Sequence, residues 1–219
     1  MVTLHFINIM MHGKRMDTKY NKDHDVTTPV GLQLALDLRS LLGVGCPDQM
    51  SPECGSFSTL CAYHHKRNAD NAFLGDESRQ FVVTGNRQME VASLFYFLSH
   101  ICDALPSYEQ SVGSCQPNAG SMATVLQFTR SSRVSFSHAK FGSKNTKRFQ
   151  FWSTNGKFTQ FLQPGQDMHV KKVSKDKVER LVTRSGKKFT GVGKRLKASE
   201  HYSAGLGHHF AMAYAKLVQ

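Results

Sequence analysis

Histidines and clustered lysines and arginines are the side chains here with types and spacing suited to chemistry. The chain holds eleven histidines. Metal-free RNA cleavage needs a base to take the proton of a ribose 2′-hydroxyl. It also needs an acid or a cation at the leaving oxygen. Histidine titrates in the right range for that work. His12 and His24 flank the first predicted strand–helix junction, His64 and His65 precede Lys66 and Arg67, and His100 falls on a predicted helix. His208 and His209 follow Gly205 and Gly207. No histidine pair with a nearby carboxylate has metal-ligand spacing, so no metal and no cofactor is expected.

The second chemical signal is a basic segment: Lys171, Lys172, Lys175, Lys177, Arg180, Arg184, Lys187, Lys188, Lys194, Arg195 and Lys197. Such a density of cations suits a phosphate backbone, and binding through it should weaken steeply with salt. Arg180 and Arg184 are four apart and would share one face of a short helix. Residues 1–110 carry nine Lys/Arg against twelve Asp/Glu, whereas residues 111–219 carry nineteen against four. A charge split of this kind points to a polyanionic partner, above all nucleic acid. Just beyond the basic segment, Gly205 and Gly207 read as a backbone-permissive loop able to approach an anion.

The elements that must position these groups read as α+β. A strand is expected over 2–10 and a loop over 13–25. A helix should open at Thr28-Pro29, capped by Thr28, and stop at Gly43 and Gly45. Residues 46–55 read as a loop, and 57–63 and 80–84 as strands. A helix follows over 87–105, then a Ser/Gly/Pro-rich connection over 108–121 and a strand over 124–129. This order of strand, helix, strand, strand, helix, strand is the ferredoxin-like, RRM-like pattern. It divides the chain into a ferredoxin-like domain, 1–130, and a basic, β-rich half, 131–219. In that half 133–140 alternates as a strand, and Asn155-Gly156 reads as a hairpin turn. Residues 173–182 suit a short basic helix, 185–203 a loop, and 210–218 a closing strand.

The 219 residues can bury a real core. No apolar run reaches the roughly 18 residues of a membrane span, and the N-terminus lacks a signal-peptide pattern. Five cysteines, an odd count without a Cys-x-x-Cys pair, suit free thiols in a reducing cytoplasm.

Gly205-x-Gly207, five residues, then Ala213-x-Ala215-x-Leu217 resembles the C-terminal glycine-rich loop of the CRISPR repeat-associated (RAMP) superfamily. The family's usual form has glycines where Ala213 and Ala215 stand. In size and charge the chain is similar to the repeat-cleaving CRISPR RNA endoribonucleases. That resemblance implies a protein that binds a repeat hairpin, cuts it without metal through the 2′-hydroxyl and stays on the guide RNA. It also implies other subunits of a ribonucleoprotein complex as partners. A non-catalytic RNA-binding subunit of a CRISPR effector complex is the alternative within the superfamily. Gly205 and Gly207 match the loop that approaches RNA, with His208 and His209 at its variable positions beside the RNA; no motif of the family fixes its catalytic histidine, and His12 and His24 are the catalytic candidates because the first strand–helix junction can face the loop.

A second resemblance covers residues 9–33. His12-Gly13 after the first strand, then Thr28-Pro29-Val30-Gly31, is similar to the opening of histidine phosphatases, in which the histidine accepts the phosphoryl group. Met11 stands where that family has arginine. Ser137-His138-Ala139 lacks the glycine of its second histidine motif.

Overall fold

A computed structural model describes residues 3–4, 16–17, 21–143, 147–163, 180–182, 188–190 and 202–217. Its centre is a four-stranded mixed sheet. The strands are β3 (Pro47–Met50), β4 (Leu105–Ser111), β5 (Ser132–Ser137) and β6 (Arg148–Ser153), in the order β3-β4-β6-β5. β3 and β4 are parallel, while β6 is antiparallel to both β4 and β5. Hence β3, β4 and β5 point the same way, and their carboxyl ends share one edge of the sheet. Two short antiparallel pairs stand apart: β1 (Thr3–Leu4) with β2 (Met16–Asp17), and β7 (Arg180–Val182) with β8 (Lys188–Thr190).

Helices cover both faces of the sheet. On one face lie α1 (Pro29–Ser40), α3 (Gln80–Ile101) and α4 (Gly120–Phe128), joined to the rest by α2 (Thr59–His65). Their buried Ala35, Met89, Phe95, Tyr96 and Met122 pack on Met50, Tyr108 and Trp152 of the sheet. On the other face lie α5 (Gly156–Leu162) and α6 (Ala204–Ala215). There Phe158, Leu162, Leu206, Phe210 and Tyr214 pack on Val134, Phe136, Phe149 and Phe151. β6 serves both cores because its side chains alternate, Trp152 on one side and Phe149 and Phe151 on the other. This is a mixed α+β fold.

Local chemistry explains the helix starts. Thr28 caps α1, its Oγ1 accepting from the Gly31 amide at 3.1 Å, with Pro29 in the first turn. Asn155 caps α5, its Oδ1 accepting from the amides of Lys157 and Phe158. Asn155-Gly156 therefore starts a helix and does not turn a hairpin. Phe158 and Leu162, four apart, bury one face of that helix.

Several expectations are corrected. Residues 57–63 belong largely to the 3-10 helix Gly55–Phe57 and to α2, 80–84 open α3, and 124–129 lie mostly in α4. The ferredoxin-like order needs all three as strands, and the described residues do not form it. α3 ends at Ile101, and Leu105 already belongs to β4. The expected loop at 46–55 contains β3, and the expected connection at 108–121 contains most of β4 and the start of α4. The expected strand at 210–218 falls on α6, where Leu206, Phe210, Ala213 and Tyr214 recur at helical spacing and are buried. The sheet takes two strands from each side of the 130/131 boundary, so those residues do not separate two sheets. Arg180 lies in a strand, which removes the helix face it was to share with Arg184.

Candidate functional site

The residues expected to bind RNA fall into three groups. Lys171, Lys172, Lys175, Lys177, Arg184, Lys187, Lys194, Arg195 and Lys197 lie outside the described residues, as does His12. Arg180 and Lys188 lie in the β7–β8 pair, opposite Thr190 and Val182 respectively. Gly205, Gly207, His208 and His209 lie in α6 and form no loop. Ser203 caps that helix, its Oγ accepting from the Leu206 amide at 3.3 Å while donating to the Phe141 carbonyl at 2.8 Å. A Cβ on Gly205 would come 2.4 Å from that same carbonyl oxygen, so this glycine permits close packing of α6 on the His138–Phe141 turn. His208 is exposed, while His209 donates from Nε2 to the Leu162 carbonyl at 3.2 Å. Burial, partly offset by that bond, holds the His209 ring below its ordinary pKa.

His24 closes a short 3-10 helix, Lys22–His24, ahead of α1. The Thr-Pro-x-Gly run beside it has a structural reason. A Cβ on Gly31 would overlap the Asp25 carbonyl, and Asp25 also accepts from the Thr27 amide and hydroxyl.

Another group assembles where the parallel strands end. Tyr202, just before α6, donates to Glu109 Oε2 of β4 at 2.6 Å and approaches Ser51 Oγ, beyond β3, at 3.4 Å. The Tyr202 ring stands edge-on to His138, their centroids 5.4 Å apart, and His138 also lies against Phe149 at 4.2 Å. Lys147, just before β6, sends its charge toward both His138 and Glu109. Gln49 of β3 donates from Nε2 to Ser51 Oγ at 3.3 Å. Alternation puts Gln49, Ser51 and Glu109 on the α6 face of the sheet, opposite Met50 and Tyr108.

The electrostatics follow from burial. Desolvation pushes the Glu109 carboxyl up, against the pull of the Tyr202 hydroxyl, Lys147 and Ser51. It pushes the Tyr202 phenol well up, reinforced by the Glu109 charge. His138 has no exposed surface, and burial, then Lys147, lowers it to about 4. Its ring is therefore neutral at physiological pH, with one N–H donor and one acceptor nitrogen. Among the described residues, neither nitrogen has a hydrogen-bond partner, and the same holds for Gln49 Oε1. Sequence reasoning passed over Glu109 and Tyr202. Ser137-His138-Ala139, inside the strand expected over 133–140, entered only as a run lacking the glycine of the phosphatases' second histidine motif.

A cleft of about 360 Å³ opens elsewhere, between Glu53–Ser56 and the first turns of α3, lined by Gln80, Phe81, Thr84 and Gln88. Beneath it Arg67, 4% exposed, donates to the carbonyls of Ser56, Phe73 and Leu74 and to Asn86 Oδ1. Those bonds make Arg67 a staple of the fold. Among the described residues, no three or more His, Cys, Asp or Glu are placed to hold a metal ion. No helix among them is long and apolar enough to cross a membrane.

Compared with protein-family models, with curated proteins and with solved structures, the chain matches none.

Proposed function

We propose that the protein binds RNA through its basic C-terminal half. The observation that carries this reading is the eleven Lys/Arg between Lys171 and Lys197, with only Asp176 and Glu179 among them. Cations at that density neutralise phosphates and release counterions on binding. The finer proposal is a CRISPR RNA-processing endoribonuclease of the repeat-associated superfamily. It would act in a reducing cytoplasm, cut a repeat hairpin without metal and stay on the product within a ribonucleoprotein complex. That proposal rests on the tail resemblance and on the histidines. Gly205 serves packing in α6, so the binding part of the reading has more support than the cleavage part. A ferredoxin-like architecture is not required for either part.

The test uses a structured repeat RNA in EDTA, beside the same RNA carrying a 2′-deoxy sugar at the cut site. Cutting that survives EDTA and is lost with the deoxy sugar establishes the nuclease. Binding without cutting establishes the non-catalytic subunit. If about six cations contact phosphate, affinity falls roughly a thousandfold between 50 and 200 mM salt. A salt-independent affinity would sink the RNA reading. Phosphate release from p-nitrophenyl phosphate, lost in His12→Ala, would instead establish a histidine phosphatase-like protein.

A further inference from the structure

We propose that the cleft between Glu53–Ser56 and the first turns of α3 binds a single nucleobase, from an unpaired stretch of RNA or from a free nucleoside. The first observation is Gln88. It is 3% exposed and lines the cleft, yet its side-chain amide has no hydrogen-bond partner among the described residues. Buried polar groups are nearly always paired, so this amide points to a partner that enters the cleft. The second is Ser56, equally buried and in the same wall. Its Oγ accepts from Arg67 Nη2 at 2.5 Å, and a guanidinium can only donate. The Ser56 hydroxyl hydrogen therefore needs an acceptor of its own, and no described residue supplies one. The third is Phe81, which lines the cleft and is 49% exposed. Its ring lies 5.4 Å from that of His65, which in turn donates from Nδ1 to the Ser56 carbonyl at 3.0 Å. The place also suits a ligand. Glu53–Ser56 follow directly on β3, which is parallel to β4, and α3 lies on the connection between the two. The crevice beyond the carboxyl ends of parallel strands is where open α/β sheets take ligands.

The chemistry of this wall selects the ligand. A half-exposed phenyl ring offers a face to stack on. The Gln88 amide offers two donor hydrogens and an acceptor oxygen, and Ser56 adds a donor. The matching ligand is flat and carries both donors and acceptors along one edge. Unpaired bases have that form, and proteins take them by stacking on aromatic rings and pairing with their edges. A primary amide such as that of Gln88 can meet a base edge through two bonds at once. A peptide amide could also pair with Gln88, but it brings no ring to Phe81. Glu53 puts a carboxylate in the lining, so a neutral base is favoured there over a phosphate. The volume of about 360 Å³ is at the small end for ligand clefts, which suits one base and not a length of strand. The RNA source rests on the RNA binding proposed above, whereas the nucleoside source does not.

The experiment titrates the full chain, labelled with nitrogen-15, with adenosine, cytidine, uridine and inosine, which carry no phosphate for the basic segment to hold. At least one nucleoside should shift the Gln88 side-chain amide signals saturably, with half-saturation on the order of 1 mM. Ribose 5-phosphate and acetamide at equal concentration should leave them in place. Saturation-transfer signals of the nucleoside read the variants. Phe81→Leu, at a half-exposed position, should weaken binding about fivefold or more with the fold intact. Gln88→Met should weaken it severalfold. Fluorescence anisotropy with a labelled single-stranded RNA then assigns the source. If Phe81→Leu weakens RNA binding by a similar factor, and one abasic position in the RNA does the same, the occupant is an RNA base. If nucleoside binding falls and RNA affinity does not, the occupant is a free nucleoside. Nucleoside binding in a protein that binds no RNA would refute the RNA reading and keep the cleft. The proposal is overturned if no nucleoside moves the Gln88 amide at about ten times the stated concentration. It is overturned equally if acetamide moves that amide as far, or if Phe81→Leu leaves nucleoside affinity unchanged.

Discussion

Alanine at Gly205 and at Gly207 should have opposite effects on stability, although both glycines stand in the first turns of one helix. At Gly205 a Cβ would lie 2.4 Å from the Phe141 carbonyl oxygen and 3.2 Å from its carbon. Ordinary contact needs about 1 Å more, and Ser203 holds the same carbonyl at 2.8 Å, so α6 cannot simply swing away. Overpacking against backbone, which cannot rotate aside as a side chain can, falls in the upper part of the usual range, about 2–3 kcal/mol. Alanine regains at most about 1 kcal/mol of helix propensity. The net for Gly205→Ala is a loss of about 1–2 kcal/mol, or a melting temperature lower by roughly 3–6 °C in a domain this size. At Gly207 nothing lies within 4 Å of the added methyl. Gly207→Ala should gain about 0.5–1 kcal/mol from propensity alone. Thermal and urea unfolding by far-UV circular dichroism read both values, and fluorescence anisotropy with labelled RNA reads binding in parallel. A Gly205→Ala protein as stable as the parent would refute the packing argument. So would loss of RNA binding in both variants at unchanged stability, which is the behaviour of a glycine loop on RNA.

Two further outcomes follow from buried groups. His138 falls from 6.5 to about 4 on folding, so its contribution is present above the unfolded value and is lost as pH drops from about 6.5 toward 4. At 1.36 kcal/mol per pH unit this amounts to about 3 kcal/mol, and His138→Gln should flatten the acid limb of a stability–pH curve; an unchanged acid limb would count against the buried neutral ring. Arg67→Lys should cost at least about 3 kcal/mol in urea unfolding, because a single ammonium cannot serve the carbonyls of Ser56, Phe73 and Leu74 together. A loss under about 1 kcal/mol would show that those carbonyls find other partners.

What was legible in the sequence was whatever had a local cause. Thr28-Pro29 announces α1 because the cap and the fixed proline torsion act within one turn. The alternation through 133–140 marks β5, which buries Val134 and Phe136 on one face. The failures share another cause. Residues 124–129 and 210–218 are short and apolar, and such runs fit either period until the partner surface is known. Met122 and Leu126 face Met89 and Tyr96, and Phe210 and Tyr214 face Phe151 and Phe158, so the helical period prevails. Asn155-Gly156 reads as a hairpin turn by residue type, but the amides after it are taken up by a helix cap. β4 carries Pro106, Ser107 and Glu109, which look like a connection, yet it is central because Tyr214 and Tyr202 supply its polar side chains with partners. The site beneath Tyr202 had no local signature, since Tyr202 and Glu109 are 93 residues apart. The basic segment was plain as composition, and most of it lies outside the described residues.

The bond from the His209 ring to the Leu162 carbonyl has a consequence for how this chain can change. It fastens the end of α5 to the middle of α6, so the two helices that flank residues 164–201 in sequence are tied to each other. Doubling the length of a closed stretch costs only about 0.6 kcal/mol. The intervening residues could thus be lengthened, shortened or exchanged for those of another chain while the two packed layers scarcely register it. The charge of the basic segment could then change independently of the two helices that hold its ends.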